Sequence, residues 1–108
     1  MAKNGMRPVP PGEILGEEFL KPLGLTASAL ARSIGVPVNR ITAILKGERG
    51  ITGDTAVRFG AFFGTTGEFW MNLQKTYELR VAEGSFAGKV RKMIEKRREA
   101  FAFNSAST

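Results

Sequence analysis

Proline and glycine divide the chain into short segments, and within each segment the apolar residues recur at the i, i+3 and i+4 spacing of a helix. The 13 Gly and 5 Pro among 108 residues interrupt the chain so often that most helices must be short. No segment alternates apolar and polar residues with the period of two that a half-buried strand requires. The sequence therefore predicts an all-α fold.

The chain contains no Cys and no His, which removes several classes of chemistry. Zinc fingers, thiol redox centres and nucleophiles activated by His all need residues that are absent. The carboxylates Glu13, Glu17 and Glu18 fall on the outer face of the first segment, and we interpret them as solvated rather than catalytic. We therefore expect neither enzymatic activity nor a bound metal or cofactor.

Positive charge exceeds negative charge, since 16 Lys and Arg stand against 10 Asp and Glu for a net charge of +6. The surplus is concentrated in residues 85–108, which hold 6 basic and 2 acidic side chains. Such a surplus favours a polyanionic partner, because cations that neutralise phosphates release condensed counterions. No apolar run reaches the ~20 residues of a membrane span and no signal peptide opens the chain, so we expect a cytoplasmic protein without membrane contact.

Five segments carry the apolar spacing and the end signals of helices. We predict these helices over residues 12–20, 26–34, 37 or 38–46, 53–63, and 65 or 66–81. Pro22 is expected to end the first helix, because a prolyl ring disfavours the helical conformation of the preceding residue. Thr26 is a good N-cap for the second helix, and Gly35 can adopt the left-handed conformation that ends it. Thr52 and Asp54 are candidate caps of the fourth.

Apolar stripes indicate the buried face of each predicted helix. The stripe of the fifth helix is large enough to form core or a dimer interface, and it consists of Phe69, Trp70, Leu73, Tyr77 and Val81. The fourth helix should bury some of its apolar residues, which are Ala56, Val57, Phe59, Phe62 and Phe63. On the first helix the apolar face carries Leu15, Phe19 and Leu23.

The residues after Gly84 differ in character from the rest of the chain. A thin apolar stripe runs among many Lys and Arg side chains, and it consists of Phe86, Val90, Met93, Ile94 and Phe101, of which all but Met93 are the candidates for packing on the fifth helix. We predict an additional basic C-terminal helix over about residues 88–100, docked on the fifth helix through this stripe, with mobile residues beyond. The predicted organisation is a domain of residues 1–84 followed by a basic helix and frayed tail of residues 85–108. Contact of the tail with DNA, with a protein partner or with solvent alone remains open.

The second and third predicted helices have the spacing of a helix-turn-helix. Ala31, Gly35, Ile41 and Ile44 stand at relative positions 0, +4, +10 and +13. A small Ala lets the two helices approach, Gly permits the tight turn, and the two Ile anchor the outer helix to the core. The outer helix is then displayed for a major groove of DNA.

Side chains near the start of the outer helix are the candidates for base contacts, and these are Val38, Asn39 and Arg40. An Asn amide pairs bidentately with adenine, an Arg guanidinium pairs with guanine, and Val contacts a thymine methyl. Asn39 is the best single candidate, with capping of the helix as the alternative role. Arg40 could equally clamp the DNA backbone. Three further residues share this exposed face, namely Thr42, Ala43 and Lys46.

Other residues are candidates for contacts with phosphates. Thr26, Ala27 and Ser28 offer amides and hydroxyls at the positive end of the second helix. Lys46 and Arg49 flank the exit of the outer helix, where a backbone contact would position the protein without selecting a base sequence. The alternative roles are helix capping for Thr26 to Ser28 and solvated charge for Lys46 and Arg49.

Three stretches outside the helix pair are distinctive, namely RPVPPGEILGEEFLKPLGLT at 7–26, RGITGDTAVRF at 49–59 and FWMNLQKTYELRVAE at 69–83. Together with the helix-turn-helix spacing, they resemble the Xre/Cro-like family and, within it, the HigA-type or VapI-like antitoxins. The Trp-x-Asn-Leu-Gln segment is the most specific of these features, because ordinary phage repressors as a rule lack it. The basic tail is longer and more positive than this resemblance predicts.

The resemblance implies a five-helix, lambda-repressor-like domain that binds a palindromic double-stranded operator as a homodimer. It also implies repression of the chain's own module and neutralisation of a HigB-type toxin, a ribosome-dependent mRNA endonuclease encoded elsewhere. Two other functions remain open, namely a stand-alone repressor of the same fold without a toxin and a protein-binding module that has lost operator recognition.

Overall fold

The computed structural model describes residues 7–85 and 87–106, with side chains over residues 7–84 and 88–102. These residues form six helices, which confirms the predicted all-α class. Helix α1 covers residues 11–23 in three consecutive segments, Pro11–Ile14, Leu15–Leu20 and Lys21–Leu23. The other helices are α2 (Ala27–Ile34), α3 (Val38–Leu45), α4 (Gly53–Phe63), α5 (Gly67–Ser85) and α6 (Ala87–Ala106).

Helix α1 continues through Pro22, so the prediction that this proline ends it is wrong. The segment Leu15–Leu20 is a π-helix, and the amide of Lys21 donates to the carbonyl of Gly16, five residues earlier. In a regular α-helix, the ring of Pro22 would crowd the carbonyl group of the residue four positions earlier. The wider π-helical turn lies at this place in the chain. The helix instead ends at Gly24, which has a φ of +62°.

An aromatic cluster forms the centre of the core. Trp70 and Phe59 are fully buried, and their ring centroids lie 5.0 Å apart. Phe19 of α1 approaches Trp70 to 4.9 Å, and the indole N–H of Trp70 donates to the hydroxyl of Thr65 at 2.8 Å. Trp70 of the predicted α5 stripe therefore lies in the core. Phe69 and Val81 of that stripe are exposed, as are Val57 and Phe62 of α4.

Helices α2 and α3 form the predicted helix-turn-helix. Ala31, Ile41 and Ile44 are buried, and Gly35 adopts a φ of +73° in the turn. This conformation strains any residue with a side chain, so the role predicted for Gly35 is confirmed. Burial likewise confirms that Ile41 and Ile44 anchor the outer helix in the core. The turn ends at Pro37, whose extended conformation precedes the first residue of α3.

The start of α1 lies directly against the backbone of α3. A methyl group added at Gly12 would overlap the carbonyl oxygen of Ile44 and lie 3.1 Å from the Cα of Leu45. Backbone atoms cannot move aside as the end of a flexible side chain can. The absence of a side chain at Gly12 is therefore what allows α1 to brace the outer helix.

The chain divides into two compact units, one ending at Glu78 and the other beginning at Leu79.

Helix α6 reaches Ala106, so the predicted end near residue 100 is wrong. The helix continues because no Gly or Pro follows Gly88 to stop it. Ile94 and Phe101, two of the predicted docking residues, are 56% and 72% exposed. The predicted contact of Phe86 lies outside the described residues, as do residues 107 and 108 of the predicted frayed end. No helix in the described ranges is both long and apolar enough to cross a membrane.

We predict that Gly12→Ala lowers the free energy of unfolding by about 1–3 kcal/mol, because the new methyl group forces α1 away from α3. Gly16→Ala is the matched control in the same helix, since a methyl there meets only the Cδ2 atom of Leu45 at 3.4 Å. Urea unfolding followed by circular dichroism measures both variants. Equal loss of stability in the two would contradict the bracing role of this contact.

Candidate nucleic-acid interface

The first turn of α3 presents two uncommitted side chains to solvent. Val38 is 45% exposed, and Asn39 is exposed with no hydrogen bond to its side-chain amide among the described residues. The N-cap of α3 is Pro37, so the alternative role of Asn39 as the helix cap is wrong. A side-chain amide in this position is free to pair with a base edge.

The later turns of α3 carry the remaining predicted residues of this face. Thr42 and Ala43 are half-buried, and the hydroxyl of Thr42 donates to the carbonyl of Asn39 at 3.3 Å. Lys46 follows the last residue of α3, and Arg49 lies three residues further along the loop, with both side chains exposed. The two cations are thus placed at the exit of the helix, as predicted.

Thr26 caps α2, since its hydroxyl oxygen accepts the amide of Ala29 at 3.1 Å. Ala27 and Ser28 are the first two residues of α2, and amides at these positions have no partner within a helix. The Ser28 side chain is exposed, whereas Ala27 packs partly against the core. Capping by Thr26 is therefore confirmed, and because it leaves the other two amides available, binding of a phosphate there stays a prediction.

A polar network that the sequence analysis did not predict joins α3 to α4. Asp54 Oδ2 accepts from Arg40 Nη1 at 2.9 Å and from Arg58 Nε at 3.1 Å. Arg58 Nη1 also donates to the carbonyl of Ile34 at the end of α2, at 2.6 Å. One carboxylate and one guanidinium therefore connect both helices of the helix-turn-helix to α4.

This network changes the interpretation of two predicted residues. Asp54 pairs with two arginines, and the N-cap position before α4 is Thr52, which makes no capping bond through its side chain. Arg40 is only 23% exposed in its side chain, and its Nε is buried without a hydrogen bond in the described structure. Arg40 is thus held against α4 while Asn39 faces solvent. The opposite charges of Asp54 and Arg58 at i, i+4 spacing were the available sequence signal.

The Arg58 side chain, by its hydrogen bond to Asp54, lowers the pKa of that carboxyl below its ordinary value. Desolvation raises the pKa and so opposes this effect, while the hydrogen bond from Arg40 adds to it. The carboxylate therefore stays charged throughout the neutral range.

Gln74 holds the loop that follows α3. Its side chain is buried, Oε1 accepts the amide of Ile51 at 2.8 Å, and Nε2 donates to Glu78 Oε2 at 2.7 Å. Gln74 is the last residue of the Trp-x-Asn-Leu-Gln segment, and its structural role was not predicted from the sequence. The hydrogen bond to Ile51 fixes the chain two residues after Arg49.

The groups on this surface are suited to binding another molecule through hydrogen bonds and charge. Amide, hydroxyl and positively charged groups face outward from α2, α3 and the following loop. Over the ranges that the structure covers, no group of three or more acidic side chains is placed to hold a metal ion.

Comparisons with known proteins agree with this geometry. The helix-turn-helix family model matches residues 17–70. Virulence-associated protein I of Dichelobacter nodosus is 49% identical over 81 residues, which are 75% of this chain and 75% of that protein.

Two solved structures are similar in both sequence and fold. An addiction module antidote protein of the HigA family from Coxiella burnetii has a TM-score of 0.76 and 49% identity, over 81% of this chain and 95% of its own. The antitoxin HigA of Pseudomonas aeruginosa, solved with the higBA promoter, has a TM-score of 0.76 and 40% identity over 78% and 91% of the two chains.

We predict that Asp54→Asn lowers stability at neutral pH and that its difference from the wild type disappears in acid. The pKa of Asp54 is lower in the folded state, so its carboxylate stabilises the fold at pH values above the ordinary pKa of about 3.9. This stabilisation is lost as the pH falls through the lower pKa of the folded state. Thermal melts at pH 7 and at successively lower pH values measure the difference. Glu18→Gln, which removes an exposed carboxylate outside the network, is the control. A difference for Asp54→Asn that stays constant with pH would contradict the role of the carboxylate.

Proposed function

The chain belongs to the helix-turn-helix family and, within it, to the HigA-type antitoxins, and from this membership we propose that it binds the operator of its own module and represses transcription. The observation that carries the proposal is the first turn of α3, where Val38 and Asn39 face solvent on a braced helix. A related antitoxin has been solved with its promoter DNA.

The proposed base contacts come from the exposed face of α3. Asn39 pairs with an adenine, and Val38 contacts the methyl group of a thymine. Thr42 and Ala43 lie on the same face and line the major groove beside these contacts. Arg40 donates to a guanine or to a phosphate from the position in which Asp54 holds it.

The proposed phosphate contacts lie on either side of this face. The amides and hydroxyls of Thr26, Ala27 and Ser28 bind one phosphate at the positive end of α2. Lys46 and Arg49 bind phosphates beyond the exit of α3. These contacts position the protein on the duplex and carry no sequence information of their own.

We further propose that the chain acts as a homodimer and neutralises a HigB-type toxin, as its family implies. In this account it acts by binding and not as an enzyme, and it works in the cytoplasm because that is where a bacterial operator lies. Residues 1–84 are the proposed DNA-binding antitoxin domain, and residues 85–108 are its basic extension.

We predict that Asn39→Ala weakens operator binding by about 1–3 kcal/mol while binding to a scrambled duplex stays nearly unchanged, as expected for a base contact. Arg49→Ala is the matched comparison, and it should weaken binding to both duplexes about equally because it removes a phosphate contact. Fluorescence anisotropy with the upstream DNA measures both variants over a range of salt concentrations. Identical behaviour of the two variants would contradict the separate roles assigned to them.

We predict that the outer helices of a dimer occupy successive major grooves about 34 Å apart, because palindromic half-sites mirror a two-fold axis. Inserting about half a helical turn, ~5 base pairs, between the half-sites should then abolish cooperative binding, whereas inserting a full turn should restore part of it. Gel shifts on the three operators make the comparison, with light scattering of the complex as the check on stoichiometry. Equal binding to all three, or one protein per operator, would contradict the dimer.

A further inference from the structure

Helix α6 concentrates the positive charge of the chain on an element that the operator contacts described above do not use. It holds six basic side chains and two acidic ones. Lys89, Lys92 and Lys96 are spaced at i, i+3 and i+7, which places them on one side of the helix, and all three are exposed. These three residues are called the lysine face.

The lysine face is not paired with the acidic residues of its own helix, although Glu99 lies beside it, three positions after Lys96. Arg91 pairs with Glu83 at 3.4 Å, but none of the three lysines forms an ion pair with any residue that the structure describes. Like charges at neighbouring positions of a helix repel one another by a few tenths of a kcal/mol per pair. Phosphates along the face would relieve this repulsion, and their neutralisation by the lysines would release the counterions condensed on the DNA.

Two of the large exposed apolar residues of α6 lie away from the lysine face, whereas Met93 lies beside it, four positions after Lys89. At 100° per residue, Ile94 and Phe101 lie roughly opposite the lysine face. Both are largely exposed.

We propose that the lysine face of α6 binds DNA phosphates next to the operator and adds affinity that does not depend on base sequence. This inference rests on the proposed operator binding, because a segment joined to a DNA-bound domain meets further phosphates without a second bimolecular encounter. Flexible ammonium groups bind phosphates as point charges and select no base. The tail therefore strengthens binding to every duplex, and the selectivity for the operator comes from α3.

The test is a full-length variant in which Lys89, Lys92 and Lys96 are all replaced by Gln. Its control carries Arg at the same three positions and keeps the charge. Circular dichroism first checks that both variants retain the wild-type helix content. Binding to the operator and to a scrambled duplex is then measured against salt concentration.

We expect the Gln variant to reduce the slope of log K against log salt by about 0.9 for each phosphate that is no longer neutralised, so by roughly 1–3 per chain, on both duplexes. The ratio of operator to scrambled affinity should stay unchanged, and the Arg variant should keep the wild-type slope. A second control, Lys21→Gln with Lys75→Gln, removes two exposed lysines outside α6 and should leave the slope unchanged.

Two results would overturn the proposal. An unchanged slope in the Gln variant would assign the lysine face to solvent or to a protein partner. An equal reduction per lysine in the Lys21 and Lys75 control would assign the effect to net charge alone. Failure of the proposed operator function is a separate result, since it would appear as equal wild-type affinity for the operator and the scrambled duplex, and the slope would still decide the role of the tail.

Discussion

Burial of Ile41 and Ile44 is the constraint on which the candidate DNA-binding surface depends. A helix of eight residues that packs one side into the core must turn the opposite side toward solvent, because its side chains repeat every 3.6 residues. Anchoring these two isoleucines therefore determines that Val38 and Asn39 face outward. Gly12 brings the backbone of α1 against the same helix, so α3 is held by close packing as well as by apolar burial.

Polar contacts then fix the two ends of the helix-turn-helix. Arg58 reaches the last carbonyl of α2 and shares Asp54 with Arg40 of α3, while Gln74 accepts the amide of Ile51 in the following loop. Asp54, Arg58 and Gln74 come from α4 and α5, and these two helices make none of the proposed DNA contacts. Their role is to hold the contacting groups in a single arrangement, which reduces the ordering that binding would otherwise require.

Local signals in the sequence were sufficient for much of this structure. The spacing of Ala31, Gly35, Ile41 and Ile44 predicted the helix-turn-helix, because each residue has a steric role that its type alone specifies. The passage of α1 through Pro22 was not predictable in this way, since the rule for proline assumes regular α-helical turns and α1 has a π-helical segment there. The contact of Arg40 with Asp54 was missed because it joins residues 14 positions apart, and a linear pattern does not show which charged residues the fold brings together. The direct contacts with DNA remain predictions.

The central claim is that the first turn of α3 contacts the bases of the operator. Nuclear magnetic resonance of ¹⁵N-labelled protein tests it most directly, through the side-chain amide of Asn39 during titration with operator and with scrambled DNA. We expect the resonance of this amide to shift strongly with the operator and much less with the scrambled duplex, while the resonance of the Lys75 backbone amide on α5 stays in place. Saturable operator binding that leaves the Asn39 amide unmoved would contradict it.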